Sequence, residues 1–339
     1  MVANAMPADI PLALMRRGGK AENEHRGRIS VVSAEDGKSL YACGDAAAPA
    51  YVRSTAKPIQ AIASLLDGMA EAYGFETRHL ALLAASHRGS REQIETLEEI
   101  LRLTGLNEDL LAVQPTLPVG RRSRDEWIAS GGKPRKLLHT CAGKHLGVLA
   151  WSKLKGWPLE GYIHAEHPAQ REIVRRIKLW SQADNESVTL GKDGCGFPVA
   201  AMPLSSLALA YGRLAAPKLA EDRLSAAAAG RMAAAMNACP DLVEGRGRLA
   251  SLLLQDENVV AKSGAHGVFA FGLRKERLGV ALAVSDGSEV AWPHIVKALL
   301  ERLGGISDKT RRSLEQAFPR EFRNDALEAA GSWETVFEL

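Results

Sequence analysis

Cysteine is scarce in this chain: four residues in 339, at positions 43, 141, 195 and 239, spaced too widely for a disulfide framework. A protein this long buries roughly three quarters of its unfolded surface, so it folds without cross-links. Disulfide-scaffold, collagen-like and disordered classes are excluded, since hydrophobic and charged contents of 46% and 24% match ordinary globular usage. An excess of one charge is missing too. Lys and Arg number 43 against 40 Asp and Glu, and the resulting +3 is too weak to point to nucleic acid. Basic residues do gather within 121–136 (Arg121, Arg122, Arg124, Lys133, Arg135, Lys136). Aromatics are rare, however: only Trp127 is there for stacking, and Asp125 and Glu126 dilute the charge. The stretch reads as a solvated face. No apolar run reaches the ~18 residues of a membrane span, so no transmembrane helix is expected. The opening MVANAMPADIPLALMRRGGK places its basic residues after the apolar ones and is interrupted by Pro7, Asp9 and Pro11, a poor signal peptide. A reduced, cytoplasmic protein without membrane or nucleic-acid partners is expected. No Pro/Ser-rich linker or internal repeat divides the chain, which reads as one domain over 1–339 or as two closely packed lobes.

What is present is a change of hydrophobic period along the chain. Residues 27–43 alternate around an Asp36-Gly37 turn, the pattern of a hairpin. A helical pattern covers 54–73 with Gly74 as its stop, and another covers 90–103 with a charged outer face. Between them ALLAAS (81–86) is a short apolar run leading into Ser-His-Arg-Gly. Helical patterns recur near 142–154, 167–181, 204–214 and 222–237. VVAKSG (259–264), GVFAFGLR (267–274) and LGVALAVSD (278–286) predict an antiparallel meander, followed by a helix over 293–303 and two shorter ones. Strands at both ends with helices between them predict an α/β (α+β layered) fold, one antiparallel sheet flanked by helices.

Three constellations carry possible chemistry. Arg53-Ser54-Thr55-Ala56-Lys57-Pro58 sets Ser54 and Lys57 three positions apart at a helix start, hence on one face, and Pro58 is tolerated only there. A serine hydroxyl becomes a nucleophile when a base takes its proton, and lysine serves once burial or a neighbouring cation depresses its pKa. Alone, S-x-x-K describes an N-cap serine beside a surface lysine equally well. Lys262-Ser263-Gly264 ends a β-rich run with a cation, a hydroxyl and close backbone access. Ser86 lies between these two motifs and is the better middle hydroxyl, because Ser285-Asp286-Gly287 follows K-S-G and reads as a turn. The third constellation joins His139-Thr140-Cys141-Ala142-Gly143-Lys144-His145 to Asp193-Gly194-Cys195-Gly196. Its two cysteines suit zinc, or equally a pair of buried small hydrophobes. Gly245-Arg246-Gly247 follows no convincing strand, His164-Ala165-Glu166-His167 lacks metalloprotease spacing, and no Walker A sequence occurs.

In this order, R-S-x-x-K-P, A-S-H, H-T-C-A-G-K-H, D-G-C-G and A-K-[ST]-G resemble the rhizobial-type L-asparaginases, the asparaginase II family, from about Pro11 to the C-terminal region. The resemblance implies a fold related to glutaminases and serine β-lactamases, a homodimer, and hydrolysis of L-asparagine to L-aspartate and ammonia. Carried over motif by motif, it implies two catalytic pairs, Ser54 with Lys57 and Ser86 with Lys262. It also implies a zinc site at Cys141, Lys144 and Cys195, with Arg53, His145 and Asp193 at neighbouring substrate positions. Position 263 is Ser where Thr is expected, which keeps the hydroxyl. Ser54 is the preferred nucleophile and Lys57 its base, with Ser86 and Lys262 relaying protons. The alternatives are a glutaminase or other serine amidohydrolase of the penicillin-recognising type, whose S-D-N element is missing, and a non-catalytic zinc-dependent amino-acid-binding protein.

Overall fold

Alternation and turn chemistry near the N-terminus produce the strands that begin the main sheet. The structure is a computed structural model that describes residues 8–219 and 222–339, so positions 1–7 of the opening segment lie outside the described residues. Its strands are β1 (Ile10–Arg17), β2 (Lys20–Ser33), β3 (Ser39–Cys43), β4 (Pro49–Tyr51), β5 (Thr189–Lys192), β6 (Pro198–Pro203), β7 (Val259–Ala265), β8 (Val268–Leu273), β9 (Leu278–Val284), β10 (Glu321–Arg323) and β11 (Ala329–Thr335). Eight of them form one sheet in the order β10-β11-β1-β2-β9-β8-β7, with β3 also on β2; a second, three-stranded sheet runs β4-β6-β5. Every pairing is antiparallel. The Asp36-Gly37 hairpin forms as expected, with Ile29 opposite Cys43. The meander of β7, β8 and β9 closes onto β2, from Gly27 opposite Val284 to Ser33 opposite Leu278.

The meander strands are apolar on both faces because helices cover both. Large residues (Phe269, Phe271, Val280, Leu282) point to a core shared with the helices Leu249–Leu254, Trp292–Leu303 and Asp308–Ala317. Small ones (Ala270, Ala281, Ala283) point to the other core, where the helix Leu204–Ala215 lies against the sheet. That approach is close: a Cβ on Gly279 would stand 1.8 Å from the Ala208 carbonyl oxygen. Behind it lie the helices Lys57–Leu66, Thr77–Leu83, Ala142–Leu154, Pro168–Ser181 and Arg223–Ala238.

Two local expectations are corrected. The helix expected over 54–73 is a tight turn at Arg53–Ala56, a helix at Lys57–Leu66 and a short one at Met69–Ala72, divided at Asp67 and Gly68. After Trp292–Leu303 only one helix follows, Asp308–Ala317; the chain then forms β10 and β11 instead of a second helix. β11 pairs with β1 (Ala13 opposite Thr335) at the far end of the sequence, and Trp333 stacks between the rings of His25 and His294. A partner strand so distant leaves no trace in the local period.

Candidate active site

The turn at Arg53–Ala56 packs beside the edge strand β7, which brings the R-S-x-x-K and K-S-G motifs together. Tyr211 from the helix Leu204–Ala215 donates to the Thr55 carbonyl at 2.7 Å and pins the turn. Arg53 takes a left-handed φ of 49°, a conformation costing about 1–3 kcal/mol for a non-glycine residue and concentrated at functional sites. Lys57 begins the following helix and is fully buried. Ser86 follows the helix Thr77–Leu83, where its N–H donates to the Val243 carbonyl at 2.8 Å and so sets it beside Glu244.

The result is one hydroxyl between two buried lysines. Lys57 Nζ donates to Ser86 Oγ at 3.0 Å and to the Ala85 carbonyl at 2.6 Å. From β7, Lys262 Nζ donates to the same Ser86 Oγ at 2.9 Å. Ser86 and Lys262 therefore meet as the second expected pair. Lys57 bonds to Ser86 and not to Ser54; Ser54 is half-buried and its side chain has no hydrogen bond among the described residues. Glu244 was not foreseen. Its carboxylate accepts from Lys262 Nζ at 2.5 Å, from the Ser263 N–H at 2.9 Å and from the Ser263 hydroxyl. Nothing in D-L-V-E-G-R-G marks it, because its partners reach it only through the fold.

The electrostatics separate the two lysines. Burial pushes the Lys57 amine below the ordinary lysine range; Cys141 opposes this and Lys144 reinforces it. Burial lowers Lys262 to about 8 despite the opposing charge of Glu244. Burial acts to raise the Glu244 carboxyl, but Lys262 and Ser263 outweigh it and hold it at about 2. At neutral pH Lys262 and Glu244 form an ion pair, whereas Lys57 has no carboxylate partner among the described residues.

Beside this cluster lies the cysteine group. The D-G-C-G segment is the loop joining β5 to β6, closed by the Asp193 N–H on the Phe197 carbonyl at 2.8 Å. Lys144 and His145 come from the helix Ala142–Leu154, which packs against Thr77–Leu83 so tightly that a Cβ on Gly143 would stand 2.0 Å from the Leu82 carbonyl oxygen. Lys144 Nζ donates to Cys195 Sγ at 3.0 Å and lies 3.9 Å from Asp193. Arg53 approaches the other Asp193 oxygen at 3.6 Å. The two thiols face each other: the Cys195 contact, helped by Lys57 and Lys144, draws the Cys141 proton off well below the thiol range, while Cys195 keeps its own. Burial acts to lower Lys144, but the two sulfurs outweigh it and keep it protonated. Tyr162 OH lies 2.6 Å from His145 Nδ1, and His145 Nε2 is buried without a partner. Burial lowers His145 well below its ordinary value, so the ring is neutral.

Among the described residues no three His, Cys, Asp or Glu side chains gather around one point. Cys141, Cys195 and Lys144 nevertheless form a buried set of two sulfurs and an amine, and this donor chemistry fits a thiophilic cation such as zinc once the remaining protons leave. Apart from Ser54, whose side chain has no hydrogen bond among the described residues, the candidate site residues fall in two touching groups, joined by Lys57 against Cys141 and by Arg53 against Asp193.

No helix among the described residues is long and apolar enough to cross a membrane. Among solved structures, a β-lactamase of Mycobacterium bovis gives a TM-score of 0.42 at 14% identity, over 82% of this chain and 94% of its own. A Bacillus glutaminase gives 0.38 at 16% identity, over 83% and 91%. No protein of curated function matches significantly in sequence. Residues 13–335 match the L-asparaginase II family. That match spans nearly the whole sequence, and the chain belongs to the L-asparaginase II family of amidohydrolases.

Proposed function

We propose that the chain hydrolyses the side-chain amide of L-asparagine to L-aspartate and ammonia through an acyl-enzyme on Ser54. The observation that carries this reading is Ser86 Oγ held between Lys57 Nζ and Lys262 Nζ. Two ammonium groups on one buried hydroxyl repel, so one gives up its proton. Lys57 is that one, because Lys262 has Glu244 as counter-ion. Ser54, one turn before Lys57 and without a side-chain partner, leaves its hydroxyl open to substrate.

Neutral Lys57 takes the Ser54 proton as Ser54 Oγ bonds to the amide carbon. The carbon–nitrogen bond then breaks, and the proton reaches the departing nitrogen through Ser86 Oγ, releasing ammonia. Water adds to the resulting ester, gives its proton to Lys57, and frees aspartate and Ser54. Arg53 and Asp193 supply opposite charges for the substrate carboxylate and ammonium, and His145 Nε2 is a buried polar atom without a partner. Cys141, Lys144 and Cys195 would hold zinc, which when bound supplies a Lewis-acidic anchor for a polar substrate atom.

Ammonia release from asparagine, with glutamine in parallel, tests the activity. Ser54→Ala is expected to lower kcat by about 10⁴-fold and Ser86→Ala to be comparably severe, since residues acting as a unit are not additive. Quenched samples should carry the aspartyl adduct on Ser54 by mass spectrometry; wild-type turnover in Ser54→Ala would remove it from the nucleophile role. Elemental analysis after chelator-free purification should find zinc, and a metal-free, fully active protein would overturn the ligand assignment.

A further inference from the structure

The reaction leaves Arg88 unused, although it stands two residues after Ser86. Its guanidinium makes no hydrogen bond or ion pair among the described residues, and its Nε is buried. It opens onto a cleft of about 580 Å³ that contains none of Ser54, Lys57, Ser86 or Lys262. The cleft is rich in arginine: Arg88, Arg91, Arg121, Arg122, Arg246 and Arg248. Four of these are already engaged, Arg91 with Glu95 and Arg122 with Glu126 at 2.7 Å, and Arg246 with Asp241 and Arg248 with Glu289 at 3.4 Å. Glu92 lines the rim and is exposed. Arg88 and Arg121 remain uncommitted. Arg248 Nε is also buried without a partner.

A backbone feature converges on the same space. Gly120, which precedes the helix Arg121–Ala129, has no side chain with which to cap it, so this helix presents an uncapped positive end to the cleft. An unpaired guanidinium, a second arginine with a buried free Nε and an uncapped helix start are the three elements with which proteins hold oxyanions. Burial and the charge of Arg248 weaken the hold of Arg88 on its proton, and the carboxylates of Glu244 and Glu289 offset this in part.

We infer that this cleft is a second ligand site, which takes a small molecule bearing a phosphate or carboxylate group and seats that oxyanion on Arg88 and the start of the helix Arg121–Ala129. It borders the catalytic cluster through Glu244, next in sequence to the lining residue Gly245. The site depends on no step of the proposed hydrolysis.

Titration calorimetry of the full chain at fixed ionic strength, with inorganic phosphate in one arm and L-aspartate in the other, tests it. Saturable binding of either anion that Arg88→Gln weakens at least about tenfold, the loss of one charge-assisted contact, supports the site, and the arm that responds identifies the source of the oxyanion. Because L-aspartate is also the product of the proposed hydrolysis, only binding that Arg88→Gln weakens is assigned to this cleft. Lys133→Gln, on an exposed position of the neighbouring loop, should leave binding unchanged. Arg248→Gln gives a second reading should Arg88→Gln fail to fold. Absence of saturable binding in both arms, or equal binding by wild type and both arginine variants, would overturn the proposal.

Discussion

Glu244 and Lys262 show how a buried carboxylate can tune a buried amine. Each is fully enclosed, and the lysine keeps its proton to about 8 because the carboxylate faces it. Lowering a lysine from its ordinary 10.5 means that its neutral fraction grows as pH rises through about 8. In the proposed mechanism the neutral amine is that of Lys57, which burial holds below the ordinary lysine range, so kcat should climb with pH as Lys57 loses its proton and then reach a plateau. A maximum in the carboxylate range would exclude the lysines as bases. Glu244→Gln removes the charge that raises Lys262, so any limb governed by Lys262 should move to lower pH. The same change leaves a buried ammonium without its partner and should cost about 3–5 kcal/mol of stability near neutrality. Denaturant unfolding and the pH–rate profile of one purified variant check both effects.

At the scale of elements, the site depends on helices brought unusually close. Gly143 lets Ala142–Leu154 rest on Thr77–Leu83, and this contact sets Lys144 and His145 on one side and Ser86 on the other. Gly143→Ala places a methyl 2.0 Å from the Leu82 carbonyl oxygen, an overlap that only a backbone shift relieves. A destabilisation of about 1–3 kcal/mol is expected, as for other overpacked interiors, with kcat reduced in the fraction that remains folded. Chemical denaturation with an activity assay on the native fraction measures the two separately. The glycine was visible in H-T-C-A-G-K-H, but its role was not, because the carbonyl it accommodates belongs to another helix. Ala142–Leu154 was legible as a helix, whereas Thr77–Leu83 was not. Arg91–Thr104 carries its own Ser90–Gln93 capping box, and Pro168–Ser181 and Arg223–Ala238 fall where their periods place them.

Across the whole molecule, β11 ties the C-terminal segment to β1, away from the candidate site. Phe337, 2% exposed, completes the core between the sheet and the helix Trp292–Leu303, and its carbonyl accepts from Arg302 at 3.0 Å. Phe337→Ala should cost about 3–5 kcal/mol by opening a cavity, yet leave the kcat of folded protein unchanged, because no site residue packs in that core. Thermal unfolding with kcat normalised to folded protein decides this; a kcat that falls with stability would mean that the two cores are coupled. This division also marks what could be read in advance. The sequence by itself determined the helices Arg91–Thr104, Ala142–Leu154, Pro168–Ser181, Leu204–Ala215, Arg223–Ala238 and Trp292–Leu303, the meander, the Asp36-Gly37 hairpin and the ordered motifs containing Ser54, Lys57, Ser86, Cys141, Lys144, Cys195 and Lys262, since period, capping and turn chemistry act over a few residues. Only the tertiary structure decided that Lys57 and Lys262 meet on Ser86, that Glu244 neutralises Lys262, and that the last strand joins the first. Those partners lie 29, 176 and 18 positions apart, or at opposite ends of the chain, and burial of shared apolar faces, not any local preference, brings them together.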